Sequence, residues 1–152
     1  MRKTCINING NRIQDVTPDS FSFSDEDFGA YAAYDTVKAS DYYNVVTLVH
    51  NGAAIGYCSY MFGGDNANPD DIVISMTIDS VFISQTHRGN GYSNCFATYV
   101  AYDFTNYVKA MTGGDKPFHY VDLSHYIGDE GENFHDRVCQ MVRGERPHYW
   151  QK

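Results

Sequence analysis

Leucine is almost missing from this chain of 152 residues: Leu48 and Leu123 are the only two. Tryptophan occurs once and proline four times. A core without leucine must be filled by aromatic and β-branched side chains, and the chain carries 13 Tyr and 9 Phe for that purpose. Such residues fit a pleated, half-buried surface, so the composition favours a sheet-rich fold. Positive charge is also scarce. Lys and Arg number 11 against 19 Asp and Glu, a formal net charge of −8. Phosphate backbones require a basic face, so this balance is expected to exclude nucleic acid and to suit a cationic partner.

Long apolar runs are absent too, and with them any expectation of a membrane span. The N-terminal Met1-Arg2-Lys3-Thr4-Cys5 has a basic start but no apolar segment behind it, so no secretion signal is expected. Cys5, Cys58, Cys95 and Cys139 are widely scattered, without a CxxC pair, and the six histidines show no HExxH spacing. No metal site is expected from them, and the cysteines read as reduced thiols of a cytoplasmic protein. The length is that of one domain, residues 1–152, large enough to bury a full core.

Lys3 to Ile8 alternates like a strand, and Asn9-Gly10-Asn11 is a turn signal. Asp15 to Ser24, polar and holding Pro18, reads as loop. Ser24 with Asp27 resembles a capping box, and a helix is expected from about Asp25 to Ala39. Tyr43 to His50 and Ala53 to Phe62 flank Asn51-Gly52, the strongest two-residue hairpin signal. Gly63 to Pro69 reads as loop and Asp71 to Ser84 as the central strand. From Ser93 to about Met111, Phe96, Tyr99, Val100, Phe104, Tyr107, Val108 and Met111 recur at helical spacing. Phe118 to Ser124 reads as a fifth strand. Gly128 to Gly131 breaks the chain, a last helix runs from Asn133 to Arg143 with Gly144 as its C′ residue, and His148 to Gln151 leaves room for one short strand.

Between the central strand and the long helix lies Arg88-Gly89-Asn90-Gly91-Tyr92-Ser93. Closely spaced glycines before a helix leave backbone N–H groups pointing outward, a ready site for an anion such as a diphosphate. A strand before it and a helix after it are the context that a nucleotide-binding reading requires. These residues resemble the R/Q-x-x-G-x-G/A motif of the GCN5-related N-acetyltransferases, with Ser93 in place of the final Gly or Ala. Gly52 and Gly56 stand where that family has the glycines of its middle strands. Asn133 and Gly144 keep the spacing of the family's C-terminal N-x-x-A-x-x-x-Y-x-x-x-G-F, while Asp136, Gln140 and Glu145 depart from it. The resemblance spans roughly Tyr43 to Gly144.

It implies an α/β (α+β) fold with a mixed, mostly antiparallel central sheet flanked by helices, here with a shortened C-terminal end. It also implies acetyl-CoA as co-substrate, with the N–H groups of Arg88, Gly89, Asn90, Gly91, Tyr92 and Ser93 on the pyrophosphate. Free backbone groups of Phe82 and Ile83 would pair with the pantetheine arm. Asn133 would bond the pantetheine or cap its helix. Acetyl transfer needs a base for the amine, a polarised thioester and a proton for the leaving sulfur. Asp79, on the central strand where the family often has an acid, is the first candidate base, with burial expected to raise its pKa. Asp122 and His125 are alternatives. The family's general-acid tyrosine is replaced by Gln140, which leaves Tyr126 as first candidate, beside Ser124, Cys139 and water.

The expected activity is N-acetyl transfer from acetyl-CoA to a primary amine, a protein lysine or a cationic small molecule. The short C-terminal end would leave the acceptor cleft open, or completed by the loop around Phe21 and Phe23, or by a second chain contacting Tyr149 and Trp150 in a homodimer. The alternative is a non-catalytic protein of the same fold, phage-encoded, that binds and modulates a partner protein.

Overall fold

The computed structural model describes residues 3–8, 12–14, 28–114, 116–124, 129–145 and 150–151. The expected loop from Asp15 to Ser24, the helix start around Asp25 and Asp27, His125, Tyr126 and Tyr149 all lie outside the described residues, as does the side chain of Trp150. Among the described residues seven strands and three α-helices follow in the order β1 (Lys3–Asn7), β2 (Arg12–Gln14), α1 (Phe28–Ala39), β3 (Asn44–His50), β4 (Ala53–Asp65), β5 (Val73–Ile83), α2 (Ser93–Thr112), β6 (Phe118–Asp122), α3 (Asp129–Glu145) and β7 (Trp150–Gln151). The strand order is β2-β1-β3-β4-β5-β6-β7. β1 pairs antiparallel with β2 and parallel with β3, β3 and β4 are antiparallel, and β6 runs parallel to both β5 and β7. This is the mixed sheet with helices that the sequence resemblance implied.

The chain divides into two compact units, Met1–Tyr60 with Asp79–Phe96, and Met61–Ile78 with Ala97–Lys152. In the first, the β3–β4 hairpin turns on Asn51 (φ 51°) and Gly52 (φ 79°). Positive φ at both central residues matches the right-handed twist of the two strands, which is why Asn-Gly is favoured there. The β3–β4 register shifts between Leu48↔Gly56 and Val49↔Ala54, so Ile55 is the extra residue of a bulge. Its carbonyl accepts the Ser84 N–H at 2.7 Å, where β5 ends.

Gly56 lies against the backbone of β5: a Cβ added to it would fall 2.6 Å from the Phe82 carbonyl oxygen and 3.2 Å from the Ile83 Cα. The core of this unit is Tyr34, Val37, Val45, Ala54 and Tyr57, with Tyr43 and Phe82 packed on it. Tyr34 shares a hydrogen bond with Thr47 at 3.1 Å. The Lys3 ammonium donates to the carbonyls of Val37, Ser40 and Tyr43, so the first residue of β1 satisfies the C-terminal end of α1.

In the second unit Ile74, Met76 and Ile78 alternate on the buried face of β5, in step with buried Ile72 just before it. Phe104 meets Phe62 edge-on at 5.0 Å and Tyr120 at 5.8 Å, so aromatic rings occupy the place leucine usually fills. β4 does not stop at Phe62 but continues through Gly63 and Gly64 to Asp65. At Gly64 a Cβ would fall 2.7 Å from the Val73 carbonyl oxygen and 2.8 Å from the Met111 Cε, so what read as a loop signal is a close approach of strands.

α3 begins at Asp129 and runs through Gly131 and Gly144. Its buried face of Phe134, His135, Val138, Cys139 and Val142 outweighs the roughly 1 kcal/mol that a helical glycine costs. Asn133 is therefore not the helix cap, and Gly144 is not the C′ residue. His135 is buried within a polar cluster. The Tyr120 hydroxyl donates to its Nε2, while Nδ1 stands 3.6 Å from both Asp122 Oδ2 and Asp136 Oδ1.

Two stability outcomes follow. Gly56→Ala forces β4 away from β5 backbone, which cannot yield as a side chain can, and should cost about 1–3 kcal/mol. Tyr120→Phe removes the oxygen partner of a buried imidazole nitrogen and should cost about 1–3 kcal/mol. Denaturant unfolding measures both, and an unchanged midpoint in either variant would show that the contact is not under the constraint described.

Candidate active site

The first unit carries the glycine turn. β5 ends at Ile83, a single 3₁₀ turn spans Gln85–His87, and Arg88 is extended at its end (φ −73°, ψ 157°). Gly89 and Gly91 follow at φ 83° and 72°, in the left-handed region where only glycine is at ease. Asn94 and Cys95 donate their N–H groups to the carbonyls of Gly91 and Tyr92, which tightens the first turn of α2. No acceptor among the described residues takes the N–H groups of Gly89, Asn90, Gly91 or Tyr92. Gly89, Asn90 and Gly91 are exposed. The turn is held from behind: Asn90 Nδ2 donates to the His87 carbonyl at 3.1 Å, and the His87 ring stands edge-on to His50 at 5.8 Å. Donors facing solvent at a helix start, on a braced loop, fit a diphosphate.

Arg88 and Ile83 depart from their expected roles. Arg88 Nε donates to the Ile83 carbonyl at 2.9 Å, and its guanidinium lies over the Phe82 ring, 5.4 Å from the centroid. The Ile83 carbonyl is thus engaged by its own chain rather than left open, and Phe82 also has partners within the protein. Arginine five residues after a strand end reaches back to cap the last carbonyl, and this satisfies the group locally. Arg88 acts first as a brace between strand and turn. The parallel register of β5 with β6 ends at Met76↔Asp122, followed by Leu123 N–H to the Met76 carbonyl (2.9 Å) and the Ile78 N–H to Ser124 Oγ (2.8 Å).

Asp79 is exposed, not buried as expected. It stands on the opposite face of β5 from the buried Ile74, Met76 and Ile78, which turns it to solvent. Its carboxylate is nevertheless held: Ser59, fully buried, donates to Oδ2 at 2.9 Å. Ser59 and Ser80 hydroxyls are 2.6 Å apart, and Tyr57 hydrogen-bonds Ser80. Burial pushes the Tyr57 phenol up from its ordinary value, opposed by the Ser80 bond and reinforced by the Asp79 charge. Burial also pushes up the Cys58 thiol, with the Asp79 charge adding to it, so Cys58 stays protonated and is no nucleophile. Ser59, Ser80 and Tyr57 were not singled out from the sequence. Serine carries no periodic signal, and only the β4–β5 neighbourhood reveals them.

The other candidates fall elsewhere. Asp122 is committed to His135 and to the Ser124 N–H, and Cys139 is buried against the same imidazole, its Sγ 3.5 Å from Nε2. Both serve the packing of α3. Ser124 accepts from Ile78, while Gln140 and Asn133 are exposed on α3. All four cysteines are free. Among the described residues no helix is long and apolar enough to cross a membrane.

No protein-family model and no curated protein matches the sequence. Solved structures do match. A KacTA–DNA complex shares 15% identity over 81% of this chain and 79% of that one, with a TM-score of 0.53. AtaT complexed with acetyl-methionyl-tRNAfMet shares 12% identity over 78% of this chain and 75% of that one, with a TM-score of 0.52. These neighbours correct the exclusion of nucleic acid drawn from net charge, because chains of similar fold occur in complexes with DNA and with tRNA. A charge of −8 is a sum over the whole chain, whereas such contacts depend on a local patch or on a partner subunit. Together with the turn and the mixed sheet, the likeness establishes a GCN5-related N-acetyltransferase-like fold for this chain.

Proposed function

We propose that the protein transfers an acetyl group from acetyl-CoA to a primary amine. The observation that carries this reading is the braced turn from Arg88 to Ser93, with left-handed Gly89 and Gly91 at the start of a 20-residue helix, in an acetyltransferase-like fold. Acetyl-CoA would supply an acyl thioester open to attack by an amine. Gly89, Asn90, Gly91, Tyr92 and Ser93 would hold its diphosphate. Asp79 would face the acceptor, orient its nitrogen and take its proton. Tyr126 is the proposed proton donor to the leaving sulfur.

The exposure of Asp79 bears on the acceptor. An exposed carboxylate gives little help to an amine that holds its proton tightly. An α-amino group, with an ordinary pKa of about 7.7–8.0, is partly neutral at physiological pH, whereas a lysine amine at about 10.4 is not. The site therefore favours an α-amino acceptor. An aminoacyl-tRNA carries an amine of this class, and the AtaT neighbour is a complex with acetyl-methionyl-tRNAfMet. A second reading, a binding module without turnover, is favoured by Gln140, an exposed amide where the family has its tyrosine.

Calorimetry with acetyl-CoA tests the turn. Gly91→Asn keeps a residue that tolerates the left-handed region and should bind within a few-fold of wild type. Gly91→Glu adds a carboxylate and should weaken binding at least tenfold, about 1.4 kcal/mol. Equal affinity in a folded Gly91→Glu protein would remove the cofactor site.

Thiol release with a panel of amines tests the chemistry. Asp79→Asn should leave acetyl-CoA binding intact and lower kcat at neutral pH by roughly 10- to 100-fold. The deficit should shrink as pH rises and the amine loses its proton unaided. Full turnover in Asp79→Asn would assign proton acceptance to another group, and tight acetyl-CoA binding with no transfer to any amine would establish the second reading.

A further inference from the structure

Two hydroxyls converge on Asp79, and counting their protons fixes their direction. Asp79 Oδ2 can only accept, so Ser59 spends its single proton there, at 2.9 Å. The 2.6 Å contact between Ser59 and Ser80 must then be made with the Ser80 proton. Ser80 also lies 3.5 Å from Asp79 Oδ2, but the shorter contact takes the proton. The result is a one-way chain, Ser80 to Ser59 to Asp79. It runs through a completely buried serine to a carboxylate at the surface.

We infer that Ser59 and Ser80 are positioning residues: their aligned hydroxyls fix one oxygen of the Asp79 carboxylate and leave the other to meet the acceptor amine. The inference rests on the acetyltransfer reading above. Ser59 is completely buried in a central strand, where a hydroxyl without a partner is costly. Its donation to Oδ2 both satisfies it and holds the carboxylate in one orientation. An exposed aspartate would otherwise sample several rotamers, and only some would aim an oxygen at the substrate. Aligned donors also reinforce one another, because each hydroxyl that donates becomes a better donor through its own acceptor bond.

The step served is simple. The acceptor ammonium gives a proton to the oxygen of Asp79 not held by Ser59; an N–H bond breaks, an O–H bond forms, and the nitrogen keeps its electron pair. The carboxylate becomes a neutral acid and the amine is ready to attack. The chain itself transfers nothing. It decides which oxygen is available and where it points.

The test is a double-substitution cycle on the full-length protein with acetyl-CoA and an α-amino acceptor. Ser59→Ala should lower kcat/KM for the amine roughly tenfold, the effect of one charge-assisted hydrogen bond, with KM for acetyl-CoA unchanged. In the Asp79→Asn background the same substitution should have almost no further effect, because Ser59 acts only through that carboxylate. Ser80→Ala, at a partly exposed position, gives a second probe should Ser59→Ala fold poorly, and should cause a smaller loss that is likewise absent in Asp79→Asn.

A role confined to folding would lower the unfolding midpoint in both backgrounds without splitting the two KM values. Active wild type with full turnover in Ser59→Ala and Ser80→Ala, or with losses that simply multiply those of Asp79→Asn, would overturn the inference and leave the acetyltransfer reading standing. A wild type that transfers acetyl to no amine would overturn that reading, and the positioning role with it.

Discussion

The close approach of β4 to β5 at Gly56 is the constraint on which the site depends. Without a side chain there, the Phe82 carbonyl and the Ile83 Cα lie where a Cβ would be. The bulge at Ile55 bends β4 at the same point and turns a carbonyl toward Ser84, which ends β5. These two features fix how far β5 runs before the chain turns. They set where the chain leaves β5 toward Arg88, and hence where Gly89 and Gly91 present their N–H groups. Three residues further along β4, the same neighbourhood places Ser59 beside Asp79 and Ser80. A single close contact of backbones thus supports both the glycine turn and the carboxylate.

The scarcity of leucine has a structural consequence beyond core filling. Tyrosine in a core brings a hydroxyl with it, and each buried hydroxyl must find a partner. Tyr34 finds Thr47, Tyr57 finds Ser80, and Tyr120 finds His135. The polar pairs are therefore a by-product of an aromatic core. Two of them hold elements together, as the Tyr120–His135 pair does for β6 and α3. The third ends at a surface carboxylate. What separates a structural hydroxyl from one with a part in chemistry is whether its chain of bonds reaches solvent.

Much of the fold was legible because it is written in local chemistry. Asn51-Gly52 can hardly be other than a hairpin turn, and the apolar spacing from Phe96 to Val108 allows only a packed helix. The glycine turn was legible for the same reason: positive φ at Gly89 and Gly91 is a demand on residue type. Features set by tertiary neighbours were not legible. Gly63 and Gly64 have the letters of a loop, but Val73 and Met111 make them a strand of close approach. Asn133 has the letter of a cap, but the buried stripe of α3 carries the helix a turn further back. Asp79 stands on β5, the strand expected for it, yet its exposure depends on what lies over it. Net charge failed for a related reason, since a sum has no position and cannot describe a patch.

The brace between Arg88 and Ile83 shows how the same strand serves two purposes. In an open strand end, a free carbonyl is a point where an extended ligand can pair. Here the guanidinium takes that carbonyl and rests on Phe82, so the last residues of β5 are stiffened by the turn they lead into. An extended ligand arm would have to pair with β5 before Ile83, or compete with a charge-assisted bond to do so. Ser124 closes off the Ile78 N–H in the same manner. Between Ile78 and Ile83 lies a short run of strand bounded at each end by a side chain of its own protein, and Asp79 and Ser80 stand at its beginning. Ser124 and Arg88 thus each satisfy a backbone group of β5, and neither binds an anion nor carries a proton in the proposed chemistry.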